Sequence, residues 1–273
     1  MQTILELEKK IAKNNDSIIV YLLNVDIGKT KICGLSCLDW VKKSLTNIPH
    51  IEFDYDGSDL IGFLKPRLVN SKYTIVLYSN TPLLTNPSIL KIMEYITIKK
   101  ISACKFNGGF AFNNDYISKA KQVNFDSYLP LEDGVVINSS ETLEQCEKIL
   151  KQRILSKHML NGVEILGDCE IDEMVEIGVG SMVFKGNVLK GDTVIGENTI
   201  LKENNVIENS IIGSDVCVSG SNVIDSKVED NVFILPYCYI NNSTIRKNCY
   251  ISSNITVENR TVRAGTKLPK ETK

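Results

Sequence analysis

A repeat of six residues constrains this chain more than any other feature of its sequence. Through the C-terminal half, aliphatic residues recur in steps of six, apart from three steps of five or four. The positions are Ile171, Ile177, Val183, Leu189, Ile195, Leu201, Ile207, Ile212, Val218, Ile224, Val228, Ile234, Ile240, Ile245, Ile251 and Val257. A period of six fits neither an α-helix nor simple strand alternation, but it fits a triangular solenoid with three hexads, about 18 residues, in each coil. We therefore predict that these residues stack as the interior of a parallel β-helix.

Turn-forming residues follow the aliphatic positions at a fixed distance. Three residues later the chain has Gly, Asp or Asn, which tolerate a positive φ at a corner, at Gly180, Gly186, Asp192, Asn198, Asn204, Asp215, Asn231, Asn248 and Asn254. The next position holds residues small enough for a narrow interior, at Ser181, Thr193, Thr199, Val216, Cys238 and Thr261. The pattern predicts corners at the first set and inward side chains at the second.

The preceding half alternates apolar runs with helical patterns. Continuous β-branched runs predict buried strands over residues 18–23 and 73–78, and a short strand is predicted over 110–112. Helices are predicted over 2–13, from the N-cap Ser36 onward, over 87–95 and over 141–157. Strands that alternate with helices indicate an α/β layer. We expect an α/β domain over 1–140, a linking helix over 141–160 and the β-helix over 161–273.

Composition and charge exclude several function classes. The chain of 273 residues has 43% hydrophobic and 23% charged residues and a net charge of −2, as an ordinary globular protein does. The solenoid region has nine basic and fifteen acidic residues between positions 163 and 268, which disfavours nucleic acid as a partner. No signal peptide or membrane span is evident, so a cytoplasmic protein without a membrane partner is expected. The eight cysteines form no CxxC pair, which favours free thiols over a zinc site.

Several motifs, in order, resemble those of the bifunctional UDP-N-acetylglucosamine pyrophosphorylase and glucosamine-1-phosphate acetyltransferase family. The run ILKQRILSKHMLNGVEIL (149–166) is similar to the linker between that family's two halves, which contains an HMxNGV element. Upstream, YTIVLYSNTPLLT (73–85) resembles the strand that ends in GD-x-PLL, NGGFAF (107–112) the NTG motif, and VVINSSETL (135–143) the VNN segment. The resemblance implies a Rossmann-like nucleotidyltransferase-type domain followed by a left-handed β-helix.

The chain departs from that family where the resemblance implies nucleotide binding. The family's glycine-rich phosphate loop is replaced by LLNVDIGKTK (22–31), in which Lys29 and Lys31 are the candidates for meeting an anion. The family's magnesium-binding Asp is Asn80 here, and its second ligand matches Asn138, so these two amides are the remnant of a Mg²⁺ site. Asn107, Gly108 and Gly109 match the segment that contacts the nucleotide sugar, but the pattern favours a tight turn that needs the two glycines.

This chain also lacks the general base expected of the family's acetyltransferase half. Hexapeptide acyltransferases use a His as general base, whereas this chain has only His50 in the first domain and His158 in the linker. We therefore expect a catalytically degenerate member that acts as a non-catalytic scaffold or a ligand-binding, regulatory relative in sugar-nucleotide metabolism. The alternatives are an active nucleotidyltransferase with a rearranged Mg²⁺ site and a hexapeptide acyltransferase. By family analogy we expect a homotrimer, with Met182, Phe184, Phe233 and Tyr239 as contact residues.

Overall fold

The computed structural model describes residues 18–57 and 59–269. The chain divides into two compact units, residues 1–148 and 149–273. The helix expected over 2–13 lies outside the described residues. Within the described residues, no helix combines the length and apolar character that crossing a membrane requires.

The first unit contains a six-stranded mixed sheet with the strand order β4-β1-β5-β7-β6-β8. Strand β7 is antiparallel to both of its neighbours, while the β1–β4, β1–β5 and β6–β8 pairs are parallel. A separate two-stranded ribbon pairs β2 with β3. The strands are β1 (Ile18–Asn24), β2 (Lys31–Ile32), β3 (Leu35–Ser36), β4 (His50–Asp54), β5 (Tyr73–Tyr78), β6 (Ala103–Phe106), β7 (Gly109–Asn113) and β8 (Ser127–Leu129).

Helices cover both faces of this sheet because its central strands are apolar on both sides. Successive residues of β1 alternate between two cores: Val20 and Leu22 belong to one, and Tyr21 and Leu23 to the other. The helices of the first unit are α1 (Cys37–Ser44), α2 (Leu60–Leu64), α3 (Asn86–Lys99) and α4 (Asn114–Lys119), and α5 (Ser140–Leu160) continues into the second unit.

Two of these helices test the predictions at their ends. The Ser36 hydroxyl accepts a hydrogen bond from the Asp39 backbone N–H at 3.1 Å, so the predicted N-cap of α1 is confirmed. Helix α3 extends four residues past its predicted end and stops at Lys100, which has a left-handed conformation with a φ of 50°. The extension adds Ile96 to the core, where it is buried.

The second unit is a left-handed parallel β-helix, as predicted. Three parallel sheets form its sides: a first face (β10-β13-β16-β19-β22-β25), a second face (β11-β14-β17-β20-β23-β26) and a third face (β27-β24-β21-β18-β15-β12-β9). Their strands are Glu164–Leu166, Glu170–Ile171, Glu176–Ile177, Met182–Phe184, Val188–Lys190, Val194–Ile195, Ile200–Leu201, Val206–Glu208, Ile211–Ile212, Cys217–Val218, Asn222–Ile224, Lys227–Val228, Phe233–Ile234, Tyr239–Asn241, Thr244–Ile245, Tyr250–Ile251, Thr256–Glu258, Thr261–Val262 and Lys267–Leu268, numbered β9 to β27 in chain order.

The aliphatic repeat forms the interior of this β-helix, with one correction to the predicted phase. Of the sixteen predicted positions, fourteen are buried, and Ile177 is half-buried. The prediction was wrong at Ile224, which is also half-buried, because its neighbour Val223 is fully buried in the interior. Val223 pairs with the interior residues Ile207 and Ile240 of the adjoining coils. Two five-residue steps, from Val218 to Val223 and from there to Val228, replace the predicted steps of six and four.

The predicted corners are confirmed at all but one position, and one of the predicted inward residues is wrong. Eight of the nine predicted corner residues have a positive φ. The exception is Asp192, since the preceding Gly191 takes the left-handed conformation with a φ of 63°. Thr261 is exposed and not inward-facing, because Asn259 forms the corner and Val262 is the buried residue of that strand. The other five predicted inward residues are buried.

The coils differ in length. Strand pairing on the third face joins Met182 to Ile200, eighteen residues later, but joins Cys217 to Phe233, only sixteen residues later. The side chains at these positions point outward, because the residue that follows each of them is buried. Shorter coils lose residues at the corners, so the interior stack stays continuous.

Candidate functional site

A cleft of about 710 Å³ lies at the carboxyl edge of the sheet in the first unit. Strands β1 and β4 are parallel neighbours there, and their last residues, Asn24 and Asp54, are paired. Ligands of open α/β sheets bind at the carboxyl ends of parallel strands. The cleft is lined by Asn24, Val25, Asp26, Lys29, Asp54, Tyr55, Asp56, Gly57, Phe63 and Arg67. This location and lining make the cleft the candidate site.

The loop after β1 uses several of its backbone amides in hydrogen bonds within the chain. It folds as a 3₁₀ helix over Asp26–Lys29. The N–H of Val25 donates to the Ser79 hydroxyl at 3.0 Å, and the N–H of Gly28 donates to the Val25 carbonyl at 2.8 Å. The N–H of Thr30 donates to the Ile27 carbonyl at 3.0 Å. These three amides therefore contact the chain's own oxygens, whereas a phosphate cradle needs amides that point at the ligand.

Both signs of charge line the cleft, with carboxylates in the majority. Asp26, Asp54 and Asp56 face two cations, Lys29 and Arg67. The side-chain amide of Asn24 donates to Asp54 at 3.0 Å, which fixes that carboxylate at the end of β4. A triphosphate in this cleft would meet more negative charge than positive.

The guanidinium of Arg67 already has partners. It lies 4.0 Å from the centre of the Phe63 ring, and its Nη1 donates to the Phe63 carbonyl at 2.8 Å. Arg67 thus closes one side of the cleft while it is held against an aromatic surface.

Aromatic rings form one wall of the cleft and continue past it. The centroid of Tyr55 lies 5.1 Å from that of Phe63 and 6.2 Å from that of Tyr78. Burial, with the added effects of Asp56 and Asp59, raises the pKa of Tyr55. Burial, and next the neighbouring Tyr55, raises the pKa of Tyr78 to about 12. Both phenols are therefore protonated and uncharged at neutral pH.

Of the two predicted anion-binding lysines, the structure brings only Lys29 to the cleft. Lys29 is exposed at the end of the 3₁₀ helix and belongs to the lining. Lys31 is exposed on the short ribbon of β2 and β3 and is absent from the lining.

Asn80 and Asn138, the predicted remnant of the Mg²⁺ site, are joined through Ile137. The Ile137 N–H donates to the Asn80 carbonyl at 2.9 Å, and the Asn80 side-chain amide donates to the Ile137 carbonyl at 3.0 Å. Asn80 Oδ1 is buried without a hydrogen-bond partner in the described residues, while the side chain of Asn138 is exposed. Neutral amides without a carboxylate do not fit Mg²⁺, which favours charged oxygen ligands. The described residues also contain no group of three His, Cys, Asp or Glu side chains spaced to hold a metal.

Asn107 and Gly108 form the tight turn between β6 and β7, and Gly109 is the first residue of β7. Gly108 has a φ of 89°, and a Cβ at Gly109 would lie 2.1 Å from the Val76 carbonyl oxygen, so both glycines are needed by the backbone. The side chain of Asn107 accepts a hydrogen bond from the Tyr128 hydroxyl. The contacts at these positions are those of the turn, which was one of the two interpretations of the motif.

Sequence reasoning missed the residues that define the cleft: Asp26, Asp54, Tyr55 and Asp56. The segment HIEFDYDG (50–57) carried a usable signal, because alternating apolar residues lead into Asp and Gly at the end of a strand. A strand there, parallel to the strand at 18–23, would have placed Asp54 and Asp56 at the carboxyl edge. Asp26 was overlooked because the loop was compared only with a glycine-rich motif.

The second unit offers no described His in its coils, since His158 is at the end of α5. His158 is buried, and its Nε2 has no hydrogen-bond partner in the described residues. Burial, and next the neighbouring Lys157, lowers the pKa of His158, while Glu173 opposes this effect. An uncharged, enclosed imidazole fits a structural role at the start of the β-helix.

Comparisons with known proteins agree with the resemblance found in the motifs. Residues 198–273 match the family model described as "GlmU-like, C-terminal hexapeptide". The chain is 36% identical over 143 residues to the bifunctional protein GlmU of Clostridium kluyveri, a match that covers 51% of this chain and 31% of the relative. It is 35% identical over 134 residues to GlmU of Alkaliphilus metalliredigens, covering 48% and 29%, and 39% identical over 131 residues to GlmU of Alkaliphilus oremlandii, covering 47% and 29%. The match thus spans less than a third of the length of each relative.

Proposed function

The chain is a relative of the bifunctional GlmU proteins, and from this premise we propose that it is a non-catalytic member that binds a ligand through its first unit and assembles through its second. The observation that carries this proposal is the loop after β1. Three of its amides, those of Val25, Gly28 and Thr30, donate to oxygens of the chain itself. Phosphoryl transfer depends on positioning the phosphates and neutralising their charge, so the use of these three amides within the chain supports a loop that does not hold phosphate.

The candidate metal position supports the same proposal. Asn80 is tied through its side-chain amide to the Ile137 carbonyl, and the other candidate, Asn138, is a neutral amide as well. An active nucleotidyltransferase would therefore need carboxylates from another part of the chain to hold Mg²⁺. Acyl transfer would need a general base other than the buried His158.

Two assays test the absence of catalysis. The first follows pyrophosphate release from UTP and N-acetylglucosamine 1-phosphate with Mg²⁺, and the second follows consumption of acetyl-CoA with glucosamine 1-phosphate. The GlmU protein of Clostridium kluyveri serves as the positive control in both. We expect no turnover above the enzyme-free rate, and clear turnover in either assay would reject the proposal.

We further propose that the third face of the β-helix is the surface through which three copies assemble. Its outward column is apolar along five successive strands, at Met182, Ile200, Cys217, Phe233 and Tyr250. The outward columns of the other faces are interrupted by Lys227 and by Asn222. Phe233 is 49% exposed and Tyr250 39% exposed, so a partner would bury substantial apolar area. Of the predicted contact residues, Met182, Phe184 and Phe233 lie on this face, and Tyr239 lies on the first face.

Light scattering tests the assembly. We expect a mass three times the 30.5 kDa of one chain at micromolar concentration. Phe233→Lys is expected to lower the mass to that of a single chain, and Tyr239→Lys on the first face is the matched control that leaves the trimer intact. A single-chain mass for the unchanged protein would contradict the assembly.

A further inference from the structure

The groups that line the cleft indicate the chemistry of its ligand. Asp26, Asp54 and Asp56 carry carboxylates, which only accept hydrogen bonds when ionised. A carboxylate can accept more than one hydrogen bond, so a ligand that contacts these groups must present donors. Hydroxyl and ammonium groups are the donors common in small molecules.

The aromatic wall requires that the ligand also have an apolar face. Tyr55 and Phe63 both line the cleft, with their rings 5.1 Å apart in an edge-to-face arrangement. The Arg67 guanidinium lies over the Phe63 ring, so Tyr55 is the ring that we assign to the ligand. The face of an aromatic ring carries partial negative charge, so it attracts polarised C–H groups as well as cations. A sugar ring combines a C–H face with a rim of hydroxyl donors.

The overall charge of the lining distinguishes a neutral ligand from a charged one. The three carboxylates are opposed by Lys29 and Arg67, so the lining has a formal charge of −1. A polyphosphate would meet the carboxylates, and a polyamine would meet the two cations. An uncharged ligand avoids both penalties and can still use Lys29 as a hydrogen-bond donor.

We propose that this cleft binds an uncharged carbohydrate, a monosaccharide or short oligosaccharide without phosphate, whose hydroxyls donate to Asp26, Asp54 and Asp56 and whose C–H face lies against Tyr55. The inference rests on the proposed function, because it names the ligand class of the cleft in a protein that does not perform nucleotidyl transfer. It differs from that function in requiring no phosphate, nucleotide or metal.

Saturation-transfer NMR and calorimetry on the full chain test the proposal. The probes are glucose, N-acetylglucosamine and the β-1,4-linked dimers of each, with Mg-UTP and spermidine as the anionic and cationic comparators. We expect saturable binding of at least one neutral sugar, with an affinity that is unchanged between about 50 mM and about 500 mM salt, because no net charge is paired on binding. Binding of Mg-UTP or spermidine in the cleft with no sugar bound would overturn the proposal, as would binding of none of the probes.

Variants assign the sugar to the cleft. Asp26→Asn, at an exposed position, and Tyr55→Ala are each expected to weaken sugar binding about tenfold or more. Asp115→Asn, an exposed carboxylate on α4 outside the lining, is the control that leaves affinity unchanged. If Tyr55→Ala unfolds, Tyr55→Leu replaces it. Sugar binding that survives both cleft variants contradicts the site, whereas the pyrophosphate assay decides separately whether the proposed function holds.

Discussion

The hydroxyl of Ser79, directly after β5, accepts a hydrogen bond from the backbone N–H of Val25, directly after β1, at 3.0 Å. This contact occupies the first amide of the loop with an oxygen of the chain itself. The same hydroxyl occupies the space beside Gly28, where a Cβ would lie only 2.1 Å from it. One buried side chain thus constrains the conformation of the loop that follows β1.

Gly28→Ala is expected to destabilise the chain by about 1–3 kcal/mol, because the added methyl group must displace Ser79. Urea unfolding followed by circular dichroism measures the change. Adding Ser79→Gly to the variant should restore part of the loss. Gly62→Ala is the matched control, since its Cβ would meet one oxygen of the exposed Asp59 carboxylate, which caps α2 through its other oxygen, and not a buried hydroxyl. An equal loss there would contradict the explanation.

Val223→Ala should cost about 1–3 kcal/mol of unfolding free energy, since it opens a cavity between coils where Val223 is fully buried. Ile224→Ala removes a larger side chain from a half-buried position and should cost less. Urea unfolding of the two variants side by side gives the comparison. The reverse order of stabilities would favour the phase predicted from the six-residue repeat.

Asp133, from a loop distant in sequence, caps the N-terminus of α3. Its carboxylate accepts hydrogen bonds from the Thr85 N–H at 3.0 Å, the Thr85 hydroxyl at 2.7 Å and the Ser88 hydroxyl at 2.7 Å. Asp133→Ala should therefore destabilise the first unit by about 1–3 kcal/mol. Thermal unfolding of this variant is compared with that of Glu132→Ala, an exposed neighbour whose replacement should have little effect.

Stability should decrease as the pH falls below about 6.5 because of His158. The pKa of this buried imidazole is lowered in the folded chain, so the unfolded chain binds the proton more readily. The folded state therefore keeps its full stability above the unfolded pKa and loses it as the pH falls toward the folded pKa. Lys157 and Glu173 are the charged groups that act on it.

Melting temperatures at about pH 7.5 and about pH 5.5 measure this dependence. In His158→Gln the difference between the two temperatures should shrink, whatever the stability of the variant at neutral pH. His50→Gln, at a half-exposed position, should retain the full difference. An unchanged pH dependence in His158→Gln would assign the effect to other groups.

The predicted β-helix was recovered because each coil repeats one local rule, with an aliphatic residue inside and a turn residue three positions later. The rule gave the wrong residue at Ile224 because Val223 and Ile224 are both aliphatic, and only the pairing with Ile207 and Ile240 distinguishes them. The corner at Gly191 was missed for a similar reason, since Asp192 beside it is also a turn-forming residue.

The cleft was less accessible to prediction because it depends on contacts distant in sequence. Ser79 and Val25 are 54 residues apart, and no local sequence pattern predicts their hydrogen bond. The motifs predicted ligand contacts at Asn80 and Asn107. In the structure their side chains bond to the Ile137 carbonyl and the Tyr128 hydroxyl. The pairing of β4 with β1, which the sequence analysis did not predict, is what brings Asp54 and Asp56 to the cleft.

The unequal coils of the β-helix have an evolutionary consequence. A residue gained or lost at a corner such as Asn209 changes only the local turn, but the same event within a strand would turn its interior side chains outward. Lineages of this protein should therefore vary in length by whole coils of sixteen to eighteen residues or by single residues at the corners.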